Sequence, residues 1–397
     1  MATTPSIAMI PSGYKTGKLY SVLPTNGDGD FDFARSTTAT RVNKDGLIET
    51  VGVNVPRLDY SDGGCPSLLL EPTRSNLFPY SEDFSIVNWS KYGAGTGVAP
   101  TVTSNYAISP DGTLNASRVQ FDKGTGTTNS DMSILNNNVA VTSGITTSKS
   151  VYVKSNTSEE YDIVIYGASS ASGTNLKKVI ATSQWQRFDV YGTIPSATTG
   201  ITIGLREIGV TGLSNTADVL VWGAQLEEGS YATSLINTQG SAVTRVADVC
   251  NNGGNEQVIN STEGVLYLET SALSNDLSER RFGLSDGTSS NIVRVGYTNV
   301  SNRIIAVIYN GSNQAVMTYT SPDITQNSKI AVKYKANDFA LWVDGVERST
   351  DANGSVFTAN TLNSLDFKIG GVSPFYNKTK DVRVYNTALT DAELQAL

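Results

Sequence analysis

At 397 residues the chain is long for one domain, so two or three domains are expected. Hydrophobic residues make up 39% and charged residues 17%, which excludes a disordered chain and does not fit a helical enzyme. The net charge of −8 argues against binding of nucleic-acid phosphates, which requires clustered Lys and Arg. The absence of histidine removes His-dependent catalytic triads, His-ligated zinc and imidazole bases.

The first ten residues contain neither a basic segment nor an adequate apolar one, so we expect no secretion signal. No stretch approaches 18 apolar residues, which predicts no membrane insertion. The two cysteines, Cys65 and Cys250, lack metal-ligand spacing. Two buried free thiols are the favoured interpretation, and one disulfide is the alternative.

The first 80 residues are rich in turns. Residues 17–23 and 31–33 read as strands, and Asp45-Gly46 predicts a hairpin between 40–43 and 47–51. Asn26, Asp28 and Asp30 alternate as in a calcium loop, but Phe31 stands where an EF-hand needs glycine. A solvated turn is favoured, no cofactor is predicted, and a structural calcium ion stays open.

Residues 80 to about 235 predict one β-sandwich, because short strands recur between turn signals. The predicted strands cover residues 117–121, 149–154, 162–166, 184–191, 200–205 and 218–222. Beyond Gly229 the residues are small, polar or β-branched without a helical period, which predicts an extended segment leaving this sandwich.

Residues from about 245 onwards predict a second sandwich. Its strands cover residues 264–270, 291–297, 303–309, 315–319, 329–334, 339–343, 347–350 and 365–371. Asn310-Gly311 and Asp344-Gly345 mark tight hairpins. A last strand precedes a short helix, for which Thr390 and Glu393 predict a capping box.

The sequence does not support glycosidase chemistry, which needs two carboxylates flanking the scissile bond. Glu227 and Glu228 are adjacent and would face opposite sides of a strand. Trp185, Trp222 and Trp342 lie in apolar strands, which favours core packing. Aromatic residues in loop-like segments are the better candidates for stacking on sugar rings; they are Tyr92, Tyr106, Tyr231 and Tyr376.

Four arginines stand out in the first 80 residues of an acidic chain: Arg35, Arg41, Arg57 and Arg74. One interpretation is ion pairing between subunits or with neighbouring proteins during assembly. The favoured interpretation is internal pairing with nearby carboxylates, because folded-over arginines need partners. The candidate carboxylates are those of Asp30, Asp32, Glu49, Asp59 and Glu71.

Two signatures resemble bacteriophage tail and head fibre proteins. The first begins at Phe33, contains Ala39-Thr-Arg-Val-Asn43 and ends in Leu68 to Leu77. The second is Trp222-Gly-Ala-Gln-Leu-Glu, continuing to Thr244-Arg245 and Asp248. The opening at residues 76–84 and Trp89 also resembles a carbohydrate-binding-module-like jelly roll. The W-V-D-G-V and I-G-G segments with the final strand and helix resemble concanavalin A-like, or laminin-G-like, domains.

These resemblances imply an all-β protein: a hairpin-rich N-terminal module at residues 1–79, a carbohydrate-binding-module-like β-sandwich at 80–240, and a concanavalin A-like β-sandwich at 241–397. They imply a non-catalytic virion protein on the particle exterior, made in the host cytoplasm and released by lysis. Its expected partners are other virion proteins and a host glycan, and a homotrimer is implied. Neither binding of nucleic acid nor insertion into a membrane is expected. Two alternatives stay open: a structural capsid decoration or adaptor protein without sugar binding, and a polysaccharide depolymerase.

Overall fold

The structure is a computed structural model that describes residues 3–167 and 171–397. The density of internal contacts divides the chain into two compact units. The terminal unit comprises Met1–Lys44, Thr50–Pro72 and Val246–Leu397, and the inserted unit comprises Asp45–Glu49 and Thr73–Arg245. The three-part division at 79/80 and 240/241 concerns sequence modules and stays a prediction.

The N-terminal part of the chain forms nine short strands, none longer than four residues. They are β1 (Ile7–Met9), β2 (Tyr14–Lys15), β3 (Lys18–Leu19), β4 (Phe31–Ala34), β5 (Ala39–Val42), β6 (Ile48–Val51), β7 (Leu58–Asp59), β8 (Ser67–Leu69) and β9 (Arg74–Asn76).

Longer strands follow in the inserted unit. They are β10 (Ser90–Ala94), β11 (Val98–Ile108), β12 (Leu114–Asp122), β13 (Met132–Ala140), β14 (Thr146–Ser155), β15 (Tyr161–Gly167), β16 (Leu176–Ala181), β17 (Gln186–Thr193), β18 (Thr198–Arg206), β19 (Thr216–Glu228) and β20 (Val243–Arg245). Two five-stranded antiparallel sheets result, in the orders β10-β13-β18-β15-β16 and β11-β12-β19-β14-β17. Their apolar faces share one core that includes Trp89, Leu135, Ile165 and Val221, so this unit is a β-sandwich.

The remaining strands belong to the terminal unit. They are β21 (Val249–Asn251), β22 (Glu263–Ala272), β23 (Arg280–Ser285), β24 (Asn291–Tyr297), β25 (Arg303–Asn310), β26 (Asn313–Thr320), β27 (Ser328–Lys335), β28 (Phe339–Val343), β29 (Val346–Asp351), β30 (Ser364–Asp366) and β31 (Asn377–Tyr385), and the helix α1 (Asp391–Gln395) follows.

Two large sheets form the terminal unit's sandwich. One has the order β29-β28-β27-β22-β31-β8-β7, with β1 also paired to β31, and the other has the order β26-β25-β24-β23-β30. Alternation along β22 separates two cores: Leu266 and Leu268 lie in the main core, while Val265 and Tyr267 pack outside with Leu394 of α1. A smaller sheet, β2-β3-β4-β21, joins N-terminal strands to the segment after residue 246.

The predicted all-β fold is confirmed, and several local predictions hold. Asp344 and Gly345 both have positive φ, as a two-residue hairpin turn requires. The capping box forms, since Thr390 Oγ1 accepts from the Glu393 amide and the Glu393 side chain accepts from the Thr390 amide. The described residues contain no helix long and apolar enough to cross a membrane.

Other local predictions were wrong. Of residues 17–23, only Lys18–Leu19 form a strand, and the predicted strand at 365–371 ends at Asp366, before a turn of 3₁₀ helix at Ile369–Gly371. The cysteine prediction holds for Cys250, which is buried, but Cys65 is exposed; both are free thiols. Cys65 follows Gly63 and Gly64, which both take positive φ in an exposed turn, so the local backbone excludes it from a core.

A buried ionic network lies inside the terminal unit. Arg35 Nη1 donates to Asp248 Oδ1 at 2.9 Å, and Arg57 donates to Asp248 Oδ2 and, at 2.5 Å, to Glu71 Oε2. The backbone amide of Glu71 also donates to Asp248 at 2.8 Å. Burial lowers the pKa of Arg57, but the two carboxylates outweigh that effect and raise it above its usual range.

We expect Asp248→Asn to lower the free energy of unfolding by about 3 to 5 kcal/mol, because two guanidinium groups would lose a shared buried counter-charge. Urea denaturation followed by fluorescence measures the change. Asp62→Asn is the matched control, since Asp62 makes an exposed ion pair with Lys378, and it should cost at most about 1 kcal/mol. Equal losses in the two variants would contradict the network's role.

The inserted unit buries a lysine. Lys149 lies in the middle of β14 with 0% exposure, and its Nζ donates to Asn175 Oδ1 at 3.0 Å. Burial lowers the pKa of this ammonium group to about 8, because desolvation disfavours the charged form.

The Lys149 pKa predicts a pH-dependent stability. It lies below the unfolded value of 10.5, so the unfolded chain binds more protons between about pH 8 and 10.5, and stability rises with pH in that window. The effect amounts to about 3 kcal/mol. Lys149→Met should remove this rise, and exposed Lys177→Met should keep it, when unfolding free energies at pH 8 and 10 are compared. The same pH dependence in Lys149→Met and wild type would refute the assignment.

Candidate functional site

The strand β19 carries the residues that shape one side of the inserted unit. Gly223, with φ +61°, stands at a register shift between β14 and β19, where a β-bulge forms. Trp222 is fully buried beside it, against Tyr152 at 5.5 Å between ring centroids. Beyond the bulge the pairing is regular again, and Gln225 and Glu227, two residues apart, lie on the same face of the strand.

Buried polar side chains hold the segment that follows β19. Gln225 Oε1 accepts from the Ile236 amide at 2.6 Å, and Glu227 accepts from the amide and hydroxyl of Thr233. Asn76 Nδ2 donates to the Ile236 carbonyl at 2.9 Å. The predicted extended segment is thus a fixed loop, held by its own backbone hydrogen bonds to β19 side chains.

Glu227 and Glu228 differ as their adjacency predicts. Glu227 is fully buried in the hydrogen bonds to Thr233, while Glu228 is exposed. The two carboxylates have separate environments on opposite faces of β19, so they do not form the facing pair that a glycosidase requires.

A cleft opens where this fixed loop runs beside the segment that follows β9. The Gly240 amide donates to the Pro79 carbonyl at 2.7 Å, and the Thr238 amide donates to the Ser81 hydroxyl at 3.0 Å. The Ala224 amide donates to the Ser81 carbonyl at 2.8 Å, which ties both segments to β19. These bonds fix the backbone that presents the side chains of the cleft.

The cleft has a volume of about 680 Å³, which is within the range of ligand sites. Its lining is mostly polar and contains no Lys or Arg among the described residues: Tyr80, Glu82, Asp83, Ser104, Asn105, Asn115, Asn237, Thr238, Gln239 and Val243. Amides can donate and accept, and carboxylates accept, so the set suits a ligand with many hydroxyl groups.

Charge in the cleft is negative. Glu82 Oε2 accepts from Asn115 Nδ2 at 3.1 Å, and the same amide group donates to Asp111 Oδ2 at 3.2 Å. Burial, with the nearby charge of Asp111, raises the pKa of Glu82. Asp83 Oδ1 accepts from the Ser85 and Ser104 hydroxyls at 2.6 and 3.4 Å. A neutral or cationic ligand therefore fits the cleft better than an anion.

None of the four candidate tyrosines lines this cleft. Tyr92 and Tyr106 are exposed, as expected, with the Arg118 guanidinium 5.1 Å from the Tyr106 ring centroid. Tyr231 is buried, contrary to expectation, because its segment is fixed on the sandwich: its carbonyl accepts from the Ser148 hydroxyl at 2.9 Å, and the Arg74 guanidinium lies 5.3 Å from its ring centroid. Tyr376 is half-buried against the terminal unit's core. Their roles in sugar binding stay predictions.

The four candidate arginines fall into two groups. Arg35 and Arg57 are buried in the ionic network, which supports internal pairing; Glu71 was an expected partner, but Asp248 was not. Arg41 and Arg74 are half-buried; Arg41 Nη2 donates to Tyr14 Oη at 3.3 Å. An assembly role for them stays a prediction.

The Asn26–Asp30 segment is a turn closed by its own hydrogen bonds. Asn26 Nδ2 donates to Asp28 Oδ2 at 2.7 Å, and Asp30 Oδ1 accepts from the Ser21 amide at 2.8 Å. Within the described ranges, no three His, Cys, Asp or Glu side chains cluster closely enough to hold a metal ion.

Sequence reasoning missed the cleft residues, although one signal was present. Tyr80, Glu82 and Asp83 belong to the 76–84 segment that carries the jelly-roll resemblance. Their partners across the cleft, Asn237 and Gln239, are more than 150 positions away, so strand pairing alone could not identify them.

Residues 271–395 match the family model of the Concanavalin A-like lectin/glucanases superfamily. The match covers less than half of the chain. It lies within the terminal unit, and the C-terminal sandwich is therefore concanavalin A-like. No curated protein sequence matches the chain.

Several solved structures are similar to the chain at low sequence identity. The CBM40 module of Ruminococcus gnavus IT-sialidase, bound to alpha2,3 sialyllactose, is 16% identical, with a TM-score of 0.31 over 37% of this chain and 92% of that one. Mouse laminin alpha1 domains LG4-5 are 10% identical, with a TM-score of 0.26 over 64% and 88%. The CBM22 tandem of Paenibacillus barcinonensis Xyn10C is 11% identical, with a TM-score of 0.26 over 79% and 97%. At such TM-scores these similarities say nothing about the ligand of this chain.

We expect Glu227→Ala to lower the free energy of unfolding by about 1 to 3 kcal/mol, because the Thr233 amide would be left buried without an acceptor. Hydrogen exchange should also quicken across residues 231–239. Glu228→Ala is the matched control, since its side chain is exposed, and should change stability by less than about 0.5 kcal/mol. Unchanged exchange in Glu227→Ala would show that the loop is held by other bonds.

Proposed function

We propose that the protein is a non-catalytic bacteriophage virion protein, a tail or head fibre, that binds glycans on the host surface. The observation that carries the glycan-binding part is the cleft of the inserted unit. One tyrosine there stands among amides, hydroxyls and carboxylates, which can bond sugar hydroxyls while the ring packs on an apolar sugar face. The concanavalin A-like match of the other sandwich agrees with a glycan-binding protein.

The virion part of the proposal comes from the two sequence signatures. Residues of both signatures have structural roles. Arg35, Arg57 and Asp248 form the buried network. Gln225 and Glu227 fix the loop after β19. The signatures thus specify how this type of fold is built, which supports common architecture with the fibre proteins. Exposure on the particle, assembly with other virion proteins and a homotrimer are proposed on the same resemblance.

Weak sites suffice for such a protein. A single polar cleft binds a sugar with modest affinity, because each hydrogen bond formed replaces one to water. Many copies on one particle convert repeated weak contacts into stable attachment, since later contacts form at a high effective concentration.

A glycan array probed with the full chain tests the proposal. Wild-type protein should bind a subset of neutral or amino-sugar glycans, and Tyr80→Ala should weaken that binding by about tenfold through loss of the central ring. Tyr92→Ala is the matched comparison, since Tyr92 is an exposed tyrosine of the same unit outside the cleft. Loss with Tyr92→Ala but not with Tyr80→Ala would move the site to the residue predicted from sequence.

Two further outcomes would overturn the proposal. No binding to any glycan or host cell, together with the chain held between other proteins in isolated particles, would identify a structural adaptor. Release of reducing ends from a bound polysaccharide, abolished by a carboxylate variant, would identify a depolymerase.

A further inference from the structure

Three arginines lie on one face of the second sheet of the terminal unit. Strand alternation places Phe282, Val293, Val295, Ile304 and Ala306 in the core. Arg281 on β23, Arg294 on β24 and Arg303 on β25 are the alternate residues, so they project from the opposite, outer face.

The strand register brings these arginines around a glycine. Arg281 pairs directly with Gly296, and Gly296 pairs directly with Ile305. Arg294 precedes Gly296 by two residues on the same face, and Arg303 precedes Ile305 by two, which makes it a diagonal neighbour. A Cβ on Gly296 would come within 1.8 Å of the Arg280 carbonyl oxygen, so no larger residue fits at this buried position between the arginines.

The guanidinium groups around this spot have spare donors. Arg281 pairs with Glu279 at 2.9 Å, but its Nε is buried without a hydrogen-bond partner, and so is the Nε of Arg303. Arg294 is half-buried, and its guanidinium group makes no hydrogen bond or ion pair with any residue in the described ranges. Burial, with the like charge of Arg281, lowers the pKa of Arg294 to about 10.

The positive charge of this arrangement is opposite in sign to the net charge of the chain. Of the three arginines only Arg281 forms an ion pair within the described ranges, with Glu279, in a protein whose formal net charge is −8. Like charges on neighbouring strands cost stability unless an anion joins them. A guanidinium has five donors in a planar fork that fits the two oxygens of a carboxylate or sulfate group.

We propose that Arg281, Arg294 and Arg303 form a binding subsite for an oxyanion group, carboxylate or sulfate, of an acidic polysaccharide. The half-buried, apolar side chain of Ile305 lies on the same face beside these arginines and offers a contact for the sugar ring. The subsite rests on the proposed glycan-binding function and assigns it a second ligand class, because the carboxylate-lined cleft of the inserted unit disfavours anions.

Calorimetric titration of the full chain tests the subsite with four probes: polygalacturonate, dextran sulfate, neutral dextran and duplex DNA. We expect binding of at least one of the two acidic polysaccharides, and their comparison separates a carboxylate from a sulfate site. Neutral dextran and DNA should not bind. DNA binding as tight as polysaccharide binding, with the same dependence on arginine, would overturn the proposal in favour of nucleic-acid recognition.

Arg281→Gln and Arg294→Gln should each weaken acidic-polysaccharide binding by about tenfold, the effect of losing one charge-assisted hydrogen-bond pair. Arg294→Lys should recover only part of it, because the ammonium group lacks the planar fork. The matched control is Arg348→Gln, which removes the same charge; Arg348 is exposed and lies over Tyr319, a residue paired with core-facing Ile304. Equal losses in Arg348→Gln and Arg294→Gln would reduce the effect to general electrostatics and overturn the subsite.

Thermal unfolding without ligand distinguishes binding from a structural role. Arg294→Gln should be at least as stable as wild type, since it relieves repulsion and breaks no bond, whereas a structural arginine would destabilise when replaced. Tyr80→Ala should leave acidic-polysaccharide binding unchanged. Binding of neutral glycans through Tyr80 without any binding of acidic ones would refute the subsite and leave the proposed function standing; loss of both would refute both.

Discussion

The terminal unit depends on one carboxylate that two buried arginines share. Asp248 accepts hydrogen bonds from Arg35, Arg57 and the backbone amide of Glu71, so it joins three segments distant in sequence. Each charge would be costly alone in a dry interior, and only the complete set is tolerated. The backbone agrees with the pairing: β21 begins directly after Asp248 and pairs with β4, which ends directly before Arg35, in the register Val249 to Ala34.

The two candidate sites have opposite electrostatic character. The cleft around Tyr80 presents carboxylates and amides, while the outer face of β23–β25 carries three arginines. Each site lies within one unit and is built on strands or on loops fixed by buried hydrogen bonds, so both are formed before a ligand arrives.

The sequence predicted the regular parts of the fold because local signals there agreed with tertiary contacts. Alternating runs such as 291–297 and 339–343 became strands with the predicted bounds, and Thr390 with Glu393 capped the helix. It missed β11 and β13, whose polar surface residues weaken the alternating pattern. The cleft and the arginine subsite could not be predicted from the sequence. Tyr80 lies beside Gln239 because of loop packing, and Arg281 lies near Arg294 because of the register of β23 and β24.

The interleaved sheets of the terminal unit constrain the order of events during protein synthesis. β8 pairs with β31, so Thr379, the strand partner of Leu68, is synthesised more than 300 residues after it. The whole inserted unit has been synthesised before β31 is made. Its main segment, Thr73–Arg245, is continuous in sequence and can therefore fold first. Asp248 is synthesised soon after the inserted unit, so Arg35 and Arg57 gain their shared counter-charge before β31 exists. The ionic network is thus available before β31 completes the sheet that contains β7 and β8.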